Sequence, residues 1–218
     1  MARGRRAKKR RTSFAPRLVI MAKRPVMGRV KRRLAQEIGD VAAIRFYRTC
    51  LSQTVRRLSR DPRWRTVLAV APDVGIGTPC WADPVEYVPQ GTGDLGHRMQ
   101  RLFDAAPPGP VVIVGADIPA MRARDVAAAF KLLGQADMVF GPAPDGGYWL
   151  VGMKRCPRRL QPFLGVPWSS AEALSATLNN LAGAPSAFAP RLSDVDTVED
   201  YGRERTSAER LVSRRTTH

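Results

Sequence analysis

Residues 110–120 read PVVIVGADIPA, and the run Val111–Val114 within them limits the fold more than any other stretch. An uninterrupted β-branched strand needs apolar cover on both faces, as in a parallel sheet flanked by helices. Asp117 follows the carboxyl end of that strand, where the loops of an open α/β sheet leave a ligand crevice. A carboxylate beside an apolar strand needs a cation, hydrogen bonds or water to offset its desolvation. Two readings of Asp117 follow: it holds a divalent metal carrying phosphate, or it caps a turn or helix.

At 218 residues the chain is long enough for one sizeable core. Its 36 Lys and Arg against 19 Asp and Glu leave a formal charge of +17, which favours polyanionic partners. The excess is densest in ARGRRAKKRRT, Ala2 to Thr12, which has no acidic residue and cannot bury apolar area. A disordered basic extension over 1–15 is expected. It is either a solvated tail or an arm for weak nucleic-acid or anionic-surface binding. Residues 16–202 would form the domain, and 203–218 a basic C-terminal tail. No apolar stretch has signal-peptide or membrane-spanning length, so a cytoplasmic protein is expected. Cys50, Cys80 and Cys156 lie far apart without CxxC spacing, which indicates neither a disulfide framework nor a structural zinc site. The only histidines are His97 and His218, and nothing beside His97 supports a nucleophilic triad.

Taken in order, Arg17 to Lys23 predicts a first strand. Pro25 and Gly28 then break the chain before a helix ending near Gly39. Lys23, Arg29, Lys31 and Arg33 crowd this corner, which reads as a phosphate cradle at a helix start or as a solvated basic face. Asp40 is the expected N-cap of a long helix with Ile44, Tyr47, Leu51, Val55 and Leu58 on its core side. Strands are expected at 64–70 and 85–88, with a loop carrying Cys80 and Trp81 between them. Gly91, Gly93 and Gly96 surround Asp94 before the next helix, so backbone amides could approach a ligand there. A helix over 125–133 and a strand over 137–140 follow.

PAPDGGYWLVGM then places Asp145 in a turn before another strand. This is a second carboxylate on the rim of Asp117, or an Asp-Gly turn serving backbone geometry alone. Trp168 stacks on a substrate or packs, and Ser169 or Ser170 is the expected N-cap of a helix. Asp194 and Asp196 precede a turn capped by Thr197 and are either a third contribution to a metal site or ordinary capping.

The ordered series MAKRPVMGRVKRRLA, GDLGHRM, GADIPAM, PAPDGGYWLVGM, VPWSS and LSDVDTVEDY resembles a family of GT-A-like proteins labelled selenodomain-associated transferases or glycosyltransferases. More distantly the chain is similar to guanylyltransferases acting on phospholactate and molybdopterin. The resemblance implies a Rossmann-like α/β domain with a mixed, mostly parallel sheet and helices on both faces. It implies that the loop of Lys23, Gly28, Lys31 and Arg33 faces nucleotide phosphates, and that Asp117 takes the metal-binding position. Asp145, Gly146, Gly147 and Tyr148 match a DGGY block lying toward the second substrate. Met27 stands where the family usually has proline, and Ala116 and Arg32 replace small hydroxyl residues.

The leading expectation is a glycosyltransferase using a nucleotide-sugar donor, with Mg²⁺ or Mn²⁺ at Asp117 and either Asp145 or Asp196. Asp145 would act as base or orienting group for an acceptor of unknown identity bordered by Gly146, Gly147, Tyr148, Trp168 and Arg98. Gly93 and Asp94 would join the phosphate side. The alternative is nucleotidyl transfer to a phosphorylated acceptor held by Arg98 and Arg101, releasing pyrophosphate. A third reading is a non-enzymatic polyanion-binding module that works through the basic arm.

Overall fold

The computed structural model describes residues 14–73, 85–195, 197, 199–200 and 202. The basic arm, Cys80, Trp81, Asp196 and the basic tail lie outside them. Among the described residues, seven strands form one sheet: β1 (Arg17–Lys23), β2 (Arg65–Ala71), β3 (Glu86–Pro89), β4 (Val111–Gly115), β5 (Met138–Pro142), β6 (Tyr148–Met153) and β7 (Ser186–Phe188). Their spatial order is β3-β2-β1-β4-β6-β5-β7. Neighbours pair in parallel except at β6, which runs antiparallel to both β4 and β5. The sheet is therefore mixed and mostly parallel, a Rossmann-like α/β arrangement of the type expected.

Among the described residues, the helices that cover it are α1 (Arg32–Ile38), α2 (Asp40–Ser59), α3 (Leu95–Ala105), α4 (Ala123–Leu132) and α5 (Ala173–Asn179). Period-2 alternation divides each central strand between two cores. Leu18, Ile20, Val112 and Val114 pack with Leu51 and Val55 of α2 and Val126 of α4. Val19, Val111 and Ile113 pack on the opposite face with Met99, Leu102 and Phe103 of α3, and Leu174 and Leu178 of α5 adjoin them. Val111–Val114 is covered on both faces, which explains its unbroken apolar run.

Three helix starts differ from the sequence expectation. Gly39 is the N-cap of α2, and Asp40 is its first residue, where a carboxylate favours the positive end of the helix dipole. Helix α4 begins ahead of Asp125 because Asp125 Oδ2 accepts the Arg122 N–H at 2.8 Å, closing a capping box. Glu172, not Ser169 or Ser170, precedes α5. Ser170 Oγ instead donates to the Pro167 carbonyl at 2.7 Å and accepts the Glu172 N–H at 3.2 Å, which makes it part of the entry turn.

Candidate functional site

The carboxyl ends of β1, β4 and β5 and the start of β6 share one rim of the sheet. Three cavities follow one another along it. The largest, about 840 Å³, is lined by Lys23, Arg24, Arg29, Asp73, Gly93 and Arg98 among others. The second, about 240 Å³, shares Lys23 and Arg98 with the first and adds Lys31, Tyr47, Gln90 and Asp117. The third, also about 240 Å³, shares Leu95 and Asp117 with the second and adds Asp145, Gly147, Tyr148, Trp168 and Asp194. Asp117 thus stands where a basic half of the cleft meets a carboxylate-lined half.

The basic half is built from backbone held by buried polar groups. The Tyr47 hydroxyl accepts the Lys23 N–H and donates to the Lys23 carbonyl, both at 2.8 Å, so α2 pins the end of β1. Burial, reinforced by the nearby Asp117 charge, pushes the Tyr47 phenol well above its ordinary range. Gln90 Nε2 donates to the Ala22 and Ala69 carbonyls at 3.0 and 2.8 Å, closing the gap between β1 and β2. Neither role carries a sequence signature, since Tyr47 sits at a core position and Gln90 is a lone amide.

After β1 the chain turns through Val26–Arg29, with Arg29 N–H on the Val26 carbonyl at 3.1 Å and Gly28 at φ 72°. Lys31 follows in a left-handed conformation, φ 48°, and sends its Nζ to Asp117 Oδ2 at 2.6 Å. The Lys31 side chain is 5% exposed and that of Asp117 29%, so the pair is shielded mainly on the lysine side. Arg33 is exposed on α1 and, like Gly28, lines none of the three cavities.

The glycine-rich turn before α3 is tied by arginines. Arg101 donates to the Gln90 and Thr92 carbonyls at 2.9 and 3.1 Å, and Arg98 Nε donates to the Gly93 carbonyl at 2.9 Å. Arg98 lines the two basic cavities and does not line the one that holds Asp145. Asp94 is the N-cap of α3: it accepts the His97 N–H at 2.8 Å and meets His97 Nδ1 at the same distance. Those hydrogen bonds hold its carboxyl below the usual carboxylate range.

In the other half, Asp145 serves its turn and faces the cleft at once. Its Oδ1 accepts the Gly147 N–H at 3.0 Å inside the β5–β6 hairpin, and Ala143 N–H reaches the Gly147 carbonyl at 3.0 Å. Gly146, φ 84°, lies so close to the Ala171 backbone that a β-carbon would collide with it. Its carbonyl accepts the Leu174 N–H at 3.1 Å, which docks the turn against α5. Tyr148 meets Trp168 edge-on at 6.3 Å, and Trp168 in turn leans on Phe163 at 6.2 Å. Trp168 therefore packs as well as lining the cavity, and its buried indole N–H has no hydrogen-bond partner among the described residues. Val195 N–H bonds the Asp117 carbonyl at 3.3 Å, which brings Asp194 to the cleft. Asp194 of LSDVD lines the same cavity as Asp117 and Asp145.

Residues 54–170, from the end of α2 through the DGGY turn to Ser170, match a family described as an uncharacterized protein conserved in bacteria (DUF2064). The chain belongs to that family. A crystal structure from Desulfovibrio desulfuricans G20, provisionally named a nucleotide-diphospho-sugar transferase, is 28% identical with a TM-score of 0.79, over 86% of this chain and 84% of that one. A nucleotidyl transferase from Methanothermobacter is 13% identical, with a TM-score of 0.59 over 90% and 99% of the two chains. A Mycobacterium tuberculosis H37Rv protein, Rv0371C, solved in complex with manganese, is 14% identical with a TM-score of 0.50 over 87% and 96%. The latter two share the fold. No curated protein matches the sequence.

In this DUF2064 chain the donors at the centre of the cleft are carboxylate oxygens, the chemistry a hard divalent cation takes. Among the described residues no three metal-ligating side chains cluster. An ion that keeps several waters and takes phosphate oxygens needs only one or two protein carboxylates, so Asp117 with Asp194 or Asp145 fits such an ion. Lys31 Nζ already stands against one Asp117 oxygen. No described helix is long and apolar enough to cross a membrane.

Proposed function

We propose that residues 16–202 form a transferase that moves a sugar from a nucleoside-diphosphate donor to a small-molecule acceptor. The observation that carries this reading is the place of Asp117, between a cavity lined by Lys23, Arg24, Arg29 and Arg98 and one lined by Asp145, Tyr148 and Trp168. The motif resemblance to selenodomain-associated transferases and the likeness to the Desulfovibrio protein support the donor class.

In this reading the basic cavity takes the nucleotide, and Lys23, Arg29 and Arg98 offset phosphate charge. The anomeric carbon lies near Asp117. An acceptor hydroxyl attacks that carbon, the bond to the diphosphate oxygen breaks, and the nucleoside diphosphate leaves. Asp145 receives the hydroxyl proton or orients the hydroxyl, within hydrogen-bond reach of an acceptor in the third cavity. Mg²⁺ or Mn²⁺, held by Asp117 and Asp194, would supply charge stabilisation for the departing diphosphate.

The test is incubation with nucleotide-sugar and nucleoside-triphosphate panels, with and without Mn²⁺, followed by product analysis. Release of a nucleoside diphosphate from a sugar nucleotide is expected, and Asp117→Asn should abolish metal-dependent nucleotide binding while the protein still unfolds cooperatively. Pyrophosphate release from a triphosphate would assign nucleotidyl transfer instead. An Asp117→Asn protein that bound metal and nucleotide like the parent would overturn the role of Asp117 in both.

A further inference from the structure

Helix α2 turns Ile44, Tyr47, Leu51, Val55 and Leu58 to the core. Its opposite side carries Arg45, Arg48, Arg56 and Arg60, all exposed, in a stripe about 22 Å long. Among the described residues none of these four arginines pairs with a carboxylate. Exposed arginines elsewhere on the fold do: Arg63 with Asp61, Arg65 with Glu86, Arg124 with Asp125 and Arg158 with Asp137. The carboxylates next along the chain are Glu37 and Asp40 ahead of the stripe and Asp61 behind it, the last bound to Arg63. None of the four arginines lines the three cavities of the cleft.

Apolar side chains stand among these charges. Val41, one turn ahead of Arg45 on the same side, is 53% exposed. Arg48 Nη2 reaches the Pro25 carbonyl at 3.4 Å, so the Val26–Arg29 turn adjoins α2. Met27 in that turn is 55% exposed.

A row of arginines suits two polyanions, a nucleic-acid backbone and an anionic bilayer. A nucleic acid would use the arginines alone, since α2 and the turn hold no exposed aromatic ring on which a base could stack. At a bilayer both parts have a role: guanidinium groups meet lipid phosphates, and aliphatic tips reach between the head groups.

We propose that the outer side of α2 over residues 45–60, with Met27 and Val41, docks on the surface of an anionic phospholipid bilayer. The contact is peripheral, because the inner side of α2 stays packed on the sheet. It does not depend on which transfer chemistry the cleft performs. Residues 2–12 add a basic attraction of their own, so the test compares proteins that all retain them.

The experiment uses the full chain with vesicles of phosphatidylcholine alone or mixed with phosphatidylglycerol, and reads binding by co-sedimentation. Binding to the mixed vesicles only is expected, and it should fall as salt is raised. Arg45→Gln, Arg48→Gln, Arg56→Gln and Arg60→Gln together should lower the partition coefficient at least about tenfold. A second variant, Lys154→Gln, Arg158→Gln, Arg159→Gln and Arg191→Gln, removes the same charge from the β5–β6 side of the fold and should lower it less than about threefold. Met27→Ser with Val41→Ser should weaken binding about threefold or more, a loss that persists at high salt. All are compared as proteins whose circular dichroism matches the parent's. No binding to mixed vesicles, equal losses from the two four-residue variants, or a Met27→Ser, Val41→Ser protein that binds like the parent would overturn the proposal. So would a DNA duplex bound more tightly than the mixed vesicles with the same dependence on the α2 arginines, which would assign this face to nucleic acid.

Discussion

Lys31 Nζ lies 2.6 Å from Asp117 Oδ2, so the lysine of the basic loop and the aspartate at the strand end neutralise each other across the centre of the cleft. In the proposed reading a divalent cation and Lys31 would compete for one carboxylate, and donor phosphates would compete with Asp117 for Lys31. Metal and nucleotide should bind synergistically, because each frees the group the other needs. Replacing Lys31 by methionine should strengthen binding of Mn²⁺ alone and weaken metal-dependent nucleotide binding by about tenfold or more, a loss typical of one charge-assisted contact. Calorimetric titrations of Mn²⁺, nucleotide and both together would show it. Unchanged Mn²⁺ affinity in Lys31→Met would remove the competition.

The Val26–Arg29 turn explains a departure from the family pattern. Gly28 has the positive φ that the third position of a type II turn requires, which puts Met27 at the second position, where proline is pre-set for the backbone. Met27 is 55% exposed and its N–H makes no hydrogen bond among the described residues, so proline would sacrifice no contact. Met27→Pro should stabilise the fold by about 0.4–1 kcal/mol, chiefly by restricting the unfolded chain. Chemical denaturation would register this as a higher midpoint with an unchanged slope.

Gly146 is constrained in a different way. Its φ of 84° disfavours any side chain, and a β-carbon would also strike the Ala171 backbone, which cannot swing aside as a long side chain can. Gly28 shares the positive φ but has open space around it. Gly28→Ala should therefore show strain alone, about 1–2 kcal/mol, and Gly146→Ala should exceed it by about 2 kcal/mol or more through backbone displacement. Similar unfolding midpoints for the two variants would contradict the close packing of the DGGY turn on α5.

The parts legible in the sequence were those with local signatures. Val111–Val114 declared a doubly covered strand, and the rule for ligand crevices then placed Asp117 on the rim. The Asp-Gly-Gly turn announced its hairpin. What escaped were relations between distant segments. Nothing in MGRVKRRLA says that Lys31 turns to Asp117, because a left-handed Lys has no sequence mark. Tyr47 reads as a core residue because only its hydroxyl, at the end of an apolar ring, does the anchoring. The carboxylates of LSDVD are chemically equivalent on paper, and the Val195 bond to the Asp117 carbonyl is what brings Asp194 inward.

Cys50 tests the burial beneath the site. Its Sγ donates to the Ala116 carbonyl at 3.6 Å, directly before Asp117, and burial followed by the Asp117 charge pushes the thiol up to about 12. The thiolate is the reactive form, so iodoacetamide at about pH 8 should label the exposed Cys156 and spare Cys50 until the protein unfolds, as read by peptide mass spectrometry. The same shift sets a sign for stability. The unfolded thiol loses its proton near pH ~8.5 while the folded one keeps it, so the native state holds more protons above that pH. The contribution of Cys50 is thus full below pH ~8.5 and falls as pH rises toward 12, by at most about 1.4 kcal/mol per pH unit. Tyr47 and Tyr148, also pushed up by burial, add the same sign above pH ~10. Denaturation midpoints measured from neutral pH upward should decline, and decline less steeply in Cys50→Ala between about pH 8.5 and 10. Equal slopes in the two proteins would mean that the thiol beneath Asp117 is reached by water.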